Sequence, residues 1–221
     1  MSAAQPDPAV QAGYARDLEP EELAFQRLYG PWRPFSVQEA EAVFASLNIP
    51  WWITGGHAIE AFTGVEREHE DIDVSVFRRD LDQLRTGLKN RYHVWAAGPG
   101  GLCPLDDAQM TMPERADQVW LREHALAPWQ VDVQLNPDRD GAWVSRRDRG
   151  FAAPLDEVTW SRDDVRYLRP EIVLAFKAKL ARPKDERDFA AAEPLLDAKA
   201  RTWLRDYLTR CEPENPWLAR L

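Results

Sequence analysis

Asp71 and Asp73 stand two apart in the stretch DIDVSVF (71–77), with Ile72, Val74 and Val76 at the alternate positions. In an extended strand, residues two apart leave the same face. The two carboxylates therefore share one face with Ser75 and Phe77, and the three aliphatic residues share the other. Asp132 repeats the arrangement in WQVDVQLNP (129–137), where Val131, Val133 and Leu135 oppose Gln130, Asp132 and Gln134. If the two strands are neighbours, three carboxylates converge on one spot. Two like charges ~4 Å apart repel by about 4 kcal/mol at an effective dielectric near 20. Such a cluster persists as ions only around a multivalent cation, or with one acid protonated. An all-oxygen ligand set suits magnesium, which takes one or two carboxylates together with water and substrate phosphates. No Cys/His pattern suits zinc. Taken alone, a D-x-D is usually a solvated strand end, so the surroundings decide.

Those surroundings include a glycine turn. In IPWWITGG (49–56) a short apolar strand runs into Thr54, Gly55 and Gly56, and HAIEAFTG (57–64) follows as a helix. Glycine lets the backbone approach a ligand closely, and a helix N-terminus offers unpaired N–H groups to an anion. The Thr54 hydroxyl adds a further donor. A nucleoside triphosphate reaching from this turn to magnesium at the acids satisfies both devices, and their combination is far more specific than either. Two magnesium ions there would serve the attacking and departing oxygens of an in-line displacement. Asp132 could be a ligand, the general base, or both.

The elements that position these groups are legible in outline. Ser36 and Glu39 form a capping box behind Phe35, so SVQEAEAVFASL begins a helix. RRDLDQLRTGLKN (78–90) reads as an amphipathic helix, YHVWAA (92–97) and QVWLREH (118–124) as strands, and residues 98–117 as a loop by composition. From about Tyr167 the pattern turns helical, with Pro170 at a first helical position. The expectation is an α/β (α+β) fold, a mixed sheet flanked by helices with a helical C-terminal subdomain. Its divisions are a tail and lead-in over 1–34, a catalytic domain over 35–150 and the helical subdomain over 151–221. Lys177 and Lys179, on the helix IVLAFKAKL, read either as snorkelling lysines of a helix face or as a cation for β- and γ-phosphates. Lys184, Asp185 and Asp188 read as the start of a surface helix. Asp106 and Asp107 in the long loop read as a solvated tip.

The 221 residues carry 28 basic and 37 acidic side chains, a formal charge of −9. That balance disfavours broad contact with nucleic acid and suits a cationic small molecule better. Two cysteines, Cys103 and Cys211, make neither a metal pattern nor a disulfide framework. No apolar run approaches a membrane span, and the N-terminus has no signal-peptide pattern, so a cytoplasmic location is expected. The ten tryptophans are spread along the chain and are expected in the core.

The order Gly-Gly, short helix, then Arg67-x-His69-x-Asp71-Ile72-Asp73 resembles the signature of the nucleotidyltransferase superfamily. Over GGHAIEAFTGVEREHEDIDVSV it most resembles the small bacterial aminoglycoside and lincosamide nucleotidyltransferases. The resemblance spans about residues 36–221 and is strong only at 54–76. It implies that Asp71, Asp73 and Asp132 are the catalytic, magnesium-binding acids. It further implies that Thr54, Gly55, Gly56, His69 and Lys177 bind the nucleotide. The implied reaction moves AMP from a nucleoside triphosphate to a hydroxyl of a small-molecule acceptor, such as an aminoglycoside-like antibiotic. The same motif would also serve a toxin–antitoxin-type nucleotidyltransferase acting on a protein or transfer RNA, or a non-catalytic nucleotide-binding module. One departure is Glu60, where relatives carry Asp.

Overall fold

A computed structural model describes residues 20–99, 101–106 and 110–221. Residues 1–19 of the expected tail and lead-in, and the expectation for Asp107, lie outside the described residues. Helix α1 (Pro20–Tyr29) leads into an extended segment whose backbone runs beside residues 129–130: Arg33 N–H donates to Trp129 O at 2.8 Å and Phe35 N–H to Gln130 O at 3.0 Å. Helix α2 (Val37–Phe44) starts at the expected capping box. Ser36 N–H donates to Glu39 Oε2 at 2.8 Å, and Glu39 N–H to Ser36 Oγ at 3.2 Å.

Strand β1 (Trp51–Ile53), helix α3 (Gly55–Thr63), strand β2 (Asp73–Phe77) and helix α4 (Leu81–Leu88) follow in the expected order. Gly64 ends α3 in the left-handed conformation at φ 71°, which glycine adopts without penalty. Beyond them come β3 (His93–Gly98), β4 (Gly101–Pro104), β5 (Gln118–Arg122) and β6 (Val131–Asn136). A three-stranded sheet of β7 (Asp138–Arg139), β8 (Ala142–Val144) and β9 (Ala152–Ala153) then precedes the short helix α5 (Leu155–Val158). The chain closes with strands β10 (Thr159–Arg162) and β11 (Val165–Leu168), then helices α6 (Pro170–Lys177), α7 (Pro183–Ala192) and α8 (Ala198–Cys211).

The main sheet has eight strands in the order β10-β11-β1-β2-β6-β5-β3-β4 and is mixed. The pairs β1–β11 and β2–β6 are parallel, and the remainder are antiparallel. Val74, Val76, Val131 and Val133 are fully buried in it, so the apolar alternation faces the core as expected.

Two differences follow from short strands that composition conceals. Residues 101–104, expected within a loop, pair with β3 as an edge strand. The segment before Pro170 holds the β10–β11 hairpin, and β11 extends the sheet beside β1. Asp163 and Asp164 turn that hairpin at φ 49° and 63°, the positive values a tight two-residue turn demands. Among the described residues no helix is long and apolar enough to cross a membrane.

Candidate active site

Because β2 and β6 are parallel neighbours, Asp73 and Asp132 are direct register partners. Asp71 lies two residues before Asp73, and one carboxylate oxygen from each of the three acids falls within 4.8 Å of the others. Burial, then the neighbouring Asp71, pushes the Asp73 carboxyl up to about 7, against the pull of Lys177, Gln134 and Arg146. Burial, then Asp73 and Asp71, also holds Asp132 well above the usual carboxylate range. Gln134 Nε2–H donates to Asp73 Oδ1 at 3.2 Å, and Gln118 Nε2–H donates to Asp132 Oδ2 at 3.1 Å. Asp132 Oδ1 is buried and accepts no hydrogen bond. Three clustered oxygen donors, one of them a buried orphan, fit a hard divalent cation and not a structural salt bridge.

The acids form the floor of a cavity of about 750 Å³. Its wall on the β1 side is the turn Thr54-Gly55-Gly56 at the start of α3. Both glycines are required by their neighbours. Gly55 has φ 65°, and a Cβ there would overlap Asp73 Oδ2. A Cβ on Gly56 would overlap the Arg67 guanidinium and the His69 ring. The turn thus admits the acid and the cation, besides exposing the helix N-terminus to the cavity. The Thr54 side chain makes no capping bond, while its N–H donates to Asp73 O at 3.0 Å.

Lys177 lines the opposite wall, at the end of α6. Its ammonium lies 2.8 Å from Asp188 Oδ2 and 3.1 Å from Asp185 Oδ1. Arg67 reaches the same Asp188 through Nε at 2.8 Å and a terminal nitrogen at 3.1 Å. Asp185 and Asp188 are 0% and 4% exposed. The expected surface helix start is instead a buried anionic clasp, because α7 packs its first turn against α3 and α6. That clasp, together with Gln118, Gln134 and Arg146, escaped the sequence reading. Only the identity of the partner strands and helices reveals them.

His69, expected at the nucleotide, turns away from the cavity. Its Nε2 lies 2.8 Å from Glu60 Oε2, and its ring stacks on His57 with centroids 3.8 Å apart. Glu60 also accepts from Arg67 N–H at 3.3 Å and so ties the loop before β2 to α3. Burial, then the neighbouring His69, lowers the His57 pKa to about 4. Burial likewise lowers His69, against the Glu60 hydrogen bond. Trp129 and Trp143 are core residues at 1% and 0% exposure. Trp32, Trp95, Trp120 and Trp129, distant in sequence, meet edge-to-face along one side of the sheet.

The family model described as Aminoglycoside-2''-adenylyltransferase matches residues 36–97. No curated protein sequence matches the chain. Its fold is similar to that in the solution structure of the antibiotic-resistance factor ANT(2'')-Ia (TM-score 0.50, 17% identity, 78% of this chain and 89% of that one). It is also similar to the crystal structure of ANT(2'')-Ia in complex with adenylyl-2''-tobramycin (TM-score 0.51, 17% identity, 79% and 95%). A third similar structure is the lincomycin-bound lincosamide antibiotic adenylyltransferase LnuA (TM-score 0.51, 16% identity, 74% and 100%). The family match is thus local, ending within β3, and with these solved structures the chain shares its fold.

Proposed function

We propose, for a chain whose matched family and structural neighbours are nucleotidyltransferases, that it transfers AMP from ATP to a hydroxyl of a small-molecule acceptor. The observation that carries this reading is the Asp73–Asp132 register pair with Asp71 beside it, opening onto the Gly55-Gly56 turn. One neighbour is solved in complex with adenylyl-2''-tobramycin and another is lincomycin-bound, which supports an acceptor of antibiotic kind.

Asp71, Asp73 and Asp132 would hold magnesium, two ions by the reading of the acids. When bound, the metal supplies Lewis-acid neutralisation of charge at the α-phosphate. The chain's own residues do the rest. The N-terminus of α3, with Gly55, Gly56 and the Thr54 hydroxyl, binds phosphate oxygens. Lys177 and Arg67, held by Asp188, face the β- and γ-phosphates and favour departure of pyrophosphate. Asp132, oriented by Gln118, accepts the proton of the attacking hydroxyl as the new oxygen–phosphorus bond forms. His69 acts on this chemistry by ordering the loop that carries Arg67 and Asp71.

We assign residues 35–150 to the catalytic domain and 151–221 to a C-terminal part that lends β10 and β11 to the same sheet, with 1–34 as tail and lead-in. A cytoplasmic location is part of the proposal. The test is pyrophosphate release from ATP and magnesium, dependent on an added hydroxylated small molecule. Transfer of labelled nucleotide to a protein or RNA would replace this reading with macromolecular modification. Nucleotide binding without turnover would replace it with a binding module.

A further inference from the structure

We infer that the acceptor of this nucleotidyl transfer is a hydroxyl-rich molecule bearing at most one ammonium group, not a polycation. The inference rests on the reading above and names the substrate class of the same cavity. Across the sheet the cavity runs from the Gly55-Gly56 turn after β1, over Asp73 on β2 and Asp132 on β6, to Gln118 on β5. With the triphosphate at the glycine turn, the space beyond Asp132 receives the acceptor. A receptor for several ammonium groups needs several free carboxylates there.

The structure provides the opposite. Arg146 stands at that end, donating to Gln134 Oε1 at 2.5 Å and to Asp117 Oδ2 at 3.1 Å. The Arg146–Asp117 pair is net neutral and leaves no free carboxylate at that end of the wall. Arg147 also lines the cavity, 5.9 Å over the Phe176 ring. Glu70, at the other end, is taken up by Lys184 at 2.7 Å. Among the described residues of the wall, Glu212 alone is an acid outside the central cluster with no ion pair. It caps the C-terminal end of α8, whose dipole also favours one cation. One acid without an ion pair, Glu212, set against Arg147 and the neutral Arg146–Asp117 pair, gives no run of free carboxylates for several amines and suits hydroxyl and ether oxygens with a single amine. The local balance departs from the overall charge of −9 because most of the excess acid lies elsewhere.

The test uses the full chain with ATP, magnesium and a panel of hydroxylated compounds matched in size, carrying zero, one, three or five ammonium groups. Acceptor-dependent pyrophosphate release gives kcat/KM, and the shift of the thermal midpoint on adding acceptor gives binding without chemistry. Compounds with zero or one ammonium are expected to exceed those with three or five by about tenfold or more in both readouts. In Arg147→Glu the ratio of polyammonium to uncharged acceptor should rise about fivefold or more. Polyammonium compounds performing as well as singly charged ones, or an unchanged ratio in Arg147→Glu, overturns the inference. Absence of turnover with every acceptor overturns the nucleotidyl-transfer reading instead, while the midpoint shifts still decide the charge preference.

Discussion

Asp73 and Asp132 face each other as register partners on parallel strands, and their carboxylates meet in one cluster with that of Asp71. Burial, then Asp71, raises the Asp73 pKa, and burial, then Asp73 and Asp71, raises that of Asp132, so each acid is ionised at a cost that a divalent ion would remove. Asp132→Asn should therefore lower acceptor-dependent pyrophosphate release by about 10²–10⁴-fold. The metal-free protein should melt at the same temperature or higher, because an unpartnered buried charge is gone. Thermal melts with and without magnesium check both halves. An Asp132→Asn protein that keeps the magnesium-dependent rise in midpoint would remove Asp132 from the metal site.

Gly55 adopts φ 65° against the Asp73 carboxylate. Gly55→Ala is expected to cost about 1–2 kcal/mol for the left-handed backbone alone, and to displace Asp73 as well. Activity should fall further than stability does. Gly64→Ala, at φ 71° with open space around it, is the control: a similar loss in denaturant midpoint with activity retained in the folded fraction.

Asp188 holds two cations, Arg67 and Lys177, whose side chains are 20% and 10% exposed. Asp188→Asn leaves Arg67 without its carboxylate and Lys177 with Asp185 alone, and should destabilise the fold by about 3 kcal/mol. If the clasp aims these cations at phosphates, KM for the nucleotide should rise more than kcat falls, with Asp188→Glu restoring part of the loss. Steady-state kinetics at 15 °C, where the variant remains folded, separates this from a purely structural role. A KM equal to that of the parent chain would confine Asp188 to stability.

His57, stacked on His69, has its pKa lowered to about 4. The unfolded chain takes up a proton near pH 6.5 that the folded chain refuses until about pH 4, so more protons bind the unfolded state in that window. Stability consequently rises with pH there, and this contribution is lost as the pH falls from 6.5 to 4. The limit is about 3 kcal/mol from 1.36 kcal/mol per unit. Denaturant midpoints across pH 4–7 should fall less steeply toward acid in His57→Gln than in the parent chain. Equal slopes would show that His57 does not carry the dependence.

Much of the site is written in local pattern. The alternation around Asp71, Asp73 and Asp132 tells which face each acid leaves, and Ser36 with Glu39 marks a helix start that the structure contains. Pro170 sits at the first turn of α6. What stayed hidden depends on pairing. Arg67 and Asp188 are 121 positions apart, and nothing near either identifies the other. Gln134 and Gln118 look like any polar strand residue until β2, β6 and β5 are set side by side. The β10–β11 hairpin did leave a signal, the Asp163-Asp164 turn between alternating segments, overshadowed by the helical run after it. The resemblance implies His69 at the nucleotide, but the adjacent Glu60 and His57 hold its ring.

Tyr167 pairs with Ile53 across β11 and β1, and β11 passes through Arg169 directly into α6. The helix that ends at Lys177 and the glycine turn consequently spring from two paired strands of one sheet. The span between these jaws is set by strand spacing and helix length. Acceptors of different bulk would then be sorted by side-chain rotamers at the rim, and a small insertion after Leu168 would widen the bite more than any ligand does.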